Sequence, residues 1–353
     1  MPAAIGYCER PLVVRCGAFG DMVLLTALIG ELYAQFRVPV DIVTSGPWSK
    51  PLLAGQPGVG AIWSMRSRKT PYWLSADQRR VVRGLRSRGP GPAWFCDADG
   101  AAGHLLARAG ITAEYVVDVK DHPLRQGEHA TQQWRRLAAV LPAVCRDRRL
   151  PGTLTGLAGC RLEVSEAQRA DLDGWLHARG LHGAPLLLVQ IGNKRTMRRG
   201  TRRLAVNHKH WPPSRWAAVI RHLRQRHPEH RIALLGTGPE FALNQEVAAL
   251  SGIDGLENVA DDLPVPRLIA LLDRADGLVT VDSGPAHAAA AVGCPQVVLF
   301  GRAQPSLYRP WGSTGAAVAV LCGQLDGEPS MRGIGTEAVI AAWDALPLRR
   351  HQR

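Results

Sequence analysis

Asp282, Ser283, Gly284 and Pro285 stand in a row between the apolar run Gly277–Val281 and the alanine-rich segment that follows. An apolar run, a D-S-G-P turn and an alanine-rich stretch read as strand, tight turn and helix. The N–H groups of Ser283, Gly284 and Ala286 would then be unpaired donors at the positive end of a helix, an arrangement suited to a phosphate. Gly284 permits close backbone approach, and Pro285 fits a first helical turn. His287 lies one turn further in. A plainer role is also open, because Asp and Ser are common helix caps.

A second turn with reactive potential is Cys16-Gly17-Ala18-Phe19-Gly20-Asp21. Two glycines allow a tight reversal, and an acid opens the next helix. A carboxylate there is favoured by the helix dipole and can serve as a general base where it meets a substrate hydroxyl. The third candidate is the basic stretch Asn193–Trp211, in which six of the ten residues Lys194–Arg203 are Lys or Arg. Asn193, Lys194, Arg195 and Thr196 could hold a diphosphate or an anionic acceptor; a solvated charge run is the alternative. His208 and His210 flank Lys209, but no third ligand has suitable spacing, so no metal is expected. Asp97-Ala98-Asp99 matches a three-residue metal pattern that is common by chance. Gly236-Thr237-Gly238 begins a dinucleotide fingerprint whose third glycine is replaced by Phe241.

Positioning these turns requires alternating strands and helices. The first half reads as strand Pro11–Arg15, helix Asp21–Gln35, strand Val38–Val43, helix Trp73–Arg86, strands Ala93–Cys96 and Glu114–Val117, and helix Glu128–Val140. Leu141–Cys160, rich in Pro, Gly and Arg, reads as a connection. A helix over Ser165–Arg179 follows, and then the alternation restarts at Pro185–Gln190. Two Rossmann-like halves are predicted, facing across a cleft at the carboxyl ends of their sheets. Their expected limits are 1–160 and 161–335, with a helix and tail over 336–353.

The chain has 353 residues, 46% hydrophobic and 21% charged, enough for two cores. No apolar run approaches the roughly 20 residues that cross a bilayer, and no signal peptide is evident, so a cytoplasmic location is expected. The seven cysteines form no C-x-x-C pair and read as buried thiols. A net charge of +13 favours anionic partners: phosphates, acidic glycolipids, an anionic membrane surface or nucleic acid. The chain lacks the interleaved aromatic and basic pattern of a nucleic-acid reader, so nucleic acid is not expected.

Three blocks in order resemble glycosyltransferase family 9, the ADP-heptose:lipopolysaccharide heptosyltransferases. They are PLVVRCGAFGDMVLLTALIGEL, NHKHWPPSRWAAVI, and the D-[ST]-G-x-x-H block over Asp282–Gly301; the tail PSMRGIGTEAVIAAW is a weaker match. The resemblance implies a GT-B fold and a metal-independent, inverting transfer from a nucleotide sugar, with ADP-heptose the expected donor and no other cofactor. It implies that the first half takes the acceptor, an anionic glycolipid of the lipopolysaccharide inner core, and the second takes the donor. Asp21 becomes the general base, Lys209 the cation on the diphosphate, Asp282 a sugar contact and Ser283–His287 the phosphate turn. By position, Glu240 and Leu263 are candidates for ribose and adenine. The arginine-rich stretch before Lys209 is longer than the family's phosphate-binding segment, which keeps open a different nucleotide sugar or acceptor.

Overall fold

The computed structural model describes residues 9–97, 99–156, 159–193, 207 and 209–349. The chain divides into two compact units, Met1–Glu163 and Val164–Arg353.

In the first unit, β1 (Leu12–Arg15), α1 (Phe19–Leu24), α2 (Thr26–Phe36), β2 (Val40–Ser45), α3 (Ser49–Leu53), β3 (Val59–Met65), α4 (Ala76–Arg88), β4 (Ala93–Phe95), α5 (Gly103–Arg108), β5 (Val116–Asp118) and α6 (Ala130–Ala138) follow one another. The strands form a wholly parallel sheet in the order β3-β2-β1-β4-β5. β1 is central, so Leu12, Val13 and Val14 are buried, as an apolar run without alternation requires. The single helix expected over Asp21–Gln35 is divided at Leu25. There the Thr26 hydroxyl donates to the Val23 carbonyl at 2.7 Å and accepts the Arg161 N–H at 3.1 Å. Phe19–Phe36 spans 18 residues and would qualify as a membrane span by length and composition, but 61% of it is buried inside the protein.

The stretch expected to connect the halves packs back onto α2 instead. The Thr155 N–H and hydroxyl both donate to the Glu31 carboxylate, at 2.7 and 3.0 Å. Gly152 approaches so closely that a Cβ there would lie 2.0 Å from the Ala34 carbonyl oxygen.

The second unit comprises α7 (Glu166–Ala178), β6 (Leu186–Gln190), α8 (Pro213–Arg226), β7 (Arg231–Leu235), α9 (Phe241–Ser251), β8 (Leu256–Asn258), α10 (Val265–Arg274), β9 (Gly277–Val281), α11 (Gly284–Ala291), β10 (Gln296–Phe300), β11 (Val318–Cys322) and α12 (Thr336–Asp344). Ser165 caps α7, accepting the Gln168 N–H at 3.2 Å. The sheet, again parallel, has the order β11-β10-β9-β6-β7-β8. The final helix belongs to this core: Trp343 is buried, and a Cβ on Gly277 would meet its ring at 2.8 Å.

Both strand orders reverse direction once, between β1 and β4 in the first unit and between β6 and β9 in the second. In open parallel sheets such reversal points leave a crevice at the carboxyl ends of the strands, where ligands bind. The turn holding Asp21 follows β1, and Asp282 follows β9, so each sits beside its own sheet's reversal point.

Candidate functional site

In the first unit the turn after β1 is built around Asp21. Its carboxylate accepts the Ala18 N–H at 2.9 Å, satisfying a donor at the start of α1. A Cβ on Gly17 would lie 2.6 Å from the Asp21 Cβ, so glycine lets the chain pass the aspartate. Arg15 Nη2 stands 3.6 Å from the carboxylate, whose side chain is 40% exposed. It is therefore oriented from one side and open on another, as a base must be to reach a substrate.

Arg15 is one member of a larger ionic cluster that the spacing of residue types did not disclose. Asp97, only 1% exposed, follows β4 and accepts the Cys16 N–H at 2.9 Å. Arg15 and Arg68 approach its two oxygens at 3.8 and 3.6 Å, and Arg68 also pairs with Asp99 at 2.6 Å. The guanidinium groups donate to the Cys96 and Cys16 carbonyls, each at 2.6 Å, and Arg15 stacks on Trp134. The Asp97/Asp99 pair is thus a structural partner of two arginines, and it ties the ends of β1 and β4 together beneath Asp21. The clue in the sequence was Arg15 at a strand end, where an apolar residue would otherwise serve the core.

In the second unit Lys209 Nζ donates to Asp282 Oδ2 at 2.5 Å and to the Asp282 carbonyl at 2.8 Å. Burial holds His210 below the usual imidazole range, with Arg332 lowering it further against a smaller opposing effect of Glu246. Near neutral pH His210 is then uncharged. Ser283 occupies the N-cap of α11, but its side chain makes no capping hydrogen bond, and its buried Oγ has no hydrogen-bond partner among the described residues. The capping role left open above is therefore not the one these side chains play: Asp282 is committed to Lys209, and the serine hydroxyl is unused. Pro285 sits in the first turn of α11, followed by buried Ala286 and His287.

Glu240 lies after β7, next to β6 in the sheet. Its Oε2 accepts the Thr237 N–H and hydroxyl, at 2.8 and 2.7 Å, whereas Oε1 is buried without a hydrogen-bond partner among the described residues. Burial raises its pKa, and the two Thr237 donors oppose the rise. A Cβ on Gly192 would lie 2.6 Å from Oε1, so this glycine leaves room at the free acceptor. Asn193 and Leu263 are half-buried, after β6 and before α10 respectively. Lys194, Arg195, Thr196 and His208 lie outside the described residues.

The segment carrying Lys209 is latched by Trp211, which residue spacing did not mark as important. Its indole N–H donates to the Ile334 carbonyl at 2.9 Å, and its ring packs edge-on against Trp216 at 4.9 Å. Arg215 reinforces the latch by donating to the Arg332 and Ile334 carbonyls, each at 2.7 Å. The Lys209 block and the tail from Pro329 are thereby held against each other. Trp211→Ala is expected to cost about 3–5 kcal/mol, the range for deleting a buried aromatic, as measured by denaturant unfolding. Trp211→Phe keeps an aromatic ring but loses the N–H; because the Ile334 carbonyl still accepts from Arg215, the lost hydrogen bond should cost only about 0.5–1.5 kcal/mol.

Residues 121–327 match the model of glycosyltransferase family 9 (heptosyltransferase). Lipopolysaccharide heptosyltransferase 3 of Escherichia coli is 35% identical over 108 residues, 30% of this chain and 31% of that protein. The chain thus spans about a third of the length of the first curated relatives it matches. Among solved structures, a family 9 glycosyl transferase from Veillonella parvula DSM 2008 superposes with a TM-score of 0.74 at 18% identity, covering 97% of each chain. The E. coli heptosyltransferase WaaC with ADP does so with a TM-score of 0.66 at 17% identity, covering 95% of this chain and 99% of that one. At these identities the likeness bears on the fold, which is GT-B.

Proposed function

Since the chain belongs to glycosyltransferase family 9, the heptosyltransferases, we propose that it moves a heptose from ADP-heptose to a hydroxyl of the lipopolysaccharide inner core. The observation that carries this reading is the Lys209–Asp282 pair at the start of α11, beside the unused Ser283 hydroxyl. A cation, free N–H groups and a free hydroxyl together form a receptor for a diphosphate that gains negative charge as it leaves.

The acceptor oxygen attacks the anomeric carbon from the face opposite the diphosphate. The new carbon–oxygen bond forms as the bond to phosphate breaks, which inverts the centre and releases ADP. Asp21 takes the acceptor proton. Lys209 and the α11 N-terminus take up the charge of the leaving group, a role a divalent ion would otherwise fill, so transfer needs no metal. Glu240 Oε1, a buried acceptor without a donor, suits a ribose hydroxyl, and Leu263 offers an apolar contact for adenine. Asn193–Thr196 remain candidates for phosphate or acceptor contacts. The first 160 residues serve the acceptor and the second half the donor, at the cytoplasmic face of the inner membrane.

A thermal-shift panel of nucleotide sugars tests the donor. ADP-heptose is expected to raise the melting temperature most, with ADP next and UDP- or GDP-sugars weaker. A larger shift with a UDP-sugar would favour the second reading, a GT-B enzyme of different donor specificity, for which the long basic stretch Lys194–Arg203 is the motive.

A further inference from the structure

Two side chains on the first unit are exposed in a way no packing explains. Trp73 is 73% exposed and Leu74 59%, the highest values among the described large hydrophobic residues. They sit side by side on the 3-10 turn Tyr72–Leu74, immediately before α4. Around them the chain is strongly cationic: residues 66–88 contain eight Arg or Lys and a single acid, Asp77. Asp77 is itself paired with Arg66 and Arg80. On α4 the residues Val81, Val82 and Leu85 face the core, while Arg79, Arg83 and Arg86, at helical spacing, are exposed. Lys69 is exposed just ahead of the turn.

We propose that the Tyr72–Leu74 turn and the arginine face of α4 form a docking surface for an anionic lipid bilayer. Indole and leucine side chains partition into the boundary between headgroups and acyl chains, and Lys and Arg beside them are drawn to anionic headgroups. The backbone of the turn is prepared for that environment. The Leu74 N–H donates to the Pro71 carbonyl at 3.0 Å, the Ser75 N–H to Tyr72 at 3.1 Å, and Arg79 Nη1 to the Trp73 carbonyl at 2.6 Å. Polar groups satisfied within the protein need not be stripped of water when the turn enters the interface. Arg108 lies 4.3 Å over the Tyr72 ring, adding a further cation at the patch.

The surface also adjoins the proposed acceptor side. Residues 66–74 leave the carboxyl end of β3, and Arg68 among them donates to the Cys16 carbonyl in the Asp21 turn. Docking through Trp73 would therefore present that turn to the membrane from which a lipid-linked acceptor emerges; this last link rests on the function proposed above, whereas bilayer binding does not.

Flotation with extruded vesicles tests the proposal. The full-length protein is expected to bind phosphatidylglycerol vesicles, to bind phosphatidylcholine vesicles at least tenfold more weakly, and to lose affinity as salt rises. Trp73→Ala/Leu74→Ala should weaken binding at least tenfold, and Lys69→Glu/Arg83→Glu should remove the preference for anionic lipid. Leu250→Ala, which trims an exposed leucine of the second unit, should change nothing. Brominated acyl chains should quench wild-type fluorescence but not that of Trp73→Phe. Absence of vesicle binding, equal binding by Trp73→Ala/Leu74→Ala, or loss of self-association in place of lipid binding in that variant would each overturn the proposal, the last by making the patch a protein interface. Transfer to a deacylated, soluble acceptor should be unaffected by the double alanine variant, while transfer to a vesicle-borne acceptor should fall. Flotation differences without transfer to either acceptor would uphold the docking surface and refute the enzymatic reading.

Discussion

Asp21→Ala is expected to lower heptosyl transfer by about 10²–10⁴-fold, the usual worth of a positioned general base, with donor affinity unchanged. The expectation rests on the geometry of the turn after β1. Gly17 makes way for the aspartate, the Ala18 N–H and Arg15 hold its carboxylate, and part of it stays open to solvent. Asp21→Asn preserves the amide contact to Ala18 and nearly the same volume but has no basic oxygen. It should therefore lose as much rate as alanine while folding normally. Steady-state transfer and isothermal titration of ADP, measured on both variants, separate a lost base from a lost site. Near wild-type turnover by Asp21→Asn would remove Asp21 from the reaction.

The parts of this protein that local chemistry dictates were legible in its residues. β1, β4, β6, β9 and α7 lie within one residue of the ranges expected from apolar runs and helical spacing, because buried parallel strands read as uninterrupted hydrophobic segments. The turns at Asp21 and Asp282 were legible for the same reason: each joins a clear strand to a clear helix. What escaped notice depends on partners distant in sequence. β3, at its sheet's edge, is interrupted by Gly60 and Ser64 and shows no apolar run, whereas β11 is the apolar run Val318–Cys322, whose place in the sheet is set only by pairing with β10. The ionic cluster joins Arg15, Arg68 and Asp97 over as many as 82 positions, and Trp211 finds its acceptor 123 residues away. No periodicity records such pairings. The Asp97-x-Asp99 pattern, set aside as a chance match to a metal motif, gave no hint of its arginine partners, since a pair of acids looks the same in sequence whether a cation or two arginines sit against it.

Lys209→Met separates the two tasks assigned to the lysine and should register in both. As a catalyst, the protein loses the cation that meets charge developing on the departing diphosphate, and transfer should fall by about 10²–10³-fold. As a folded chain, it keeps Asp282, only 8% exposed, without the ammonium group that neutralised it. Removing one partner of a buried pair costs about 3–5 kcal/mol; about 3 kcal/mol is expected here, because Lys209 is still 18% exposed and the pair is partly screened. The second change, Asp282→Asn on top of Lys209→Met, removes the uncompensated charge. Stability should then return toward wild type while transfer stays low, since neither the cation nor the aspartate is restored. Lys209→Arg, with a bulkier and more diffuse charge, should fold well and recover only part of the rate. Urea unfolding and single-turnover transfer on these three variants give the two readings separately. If stability and rate instead recover together in the double variant, Lys209 serves the fold alone, and the diphosphate must be held by other groups.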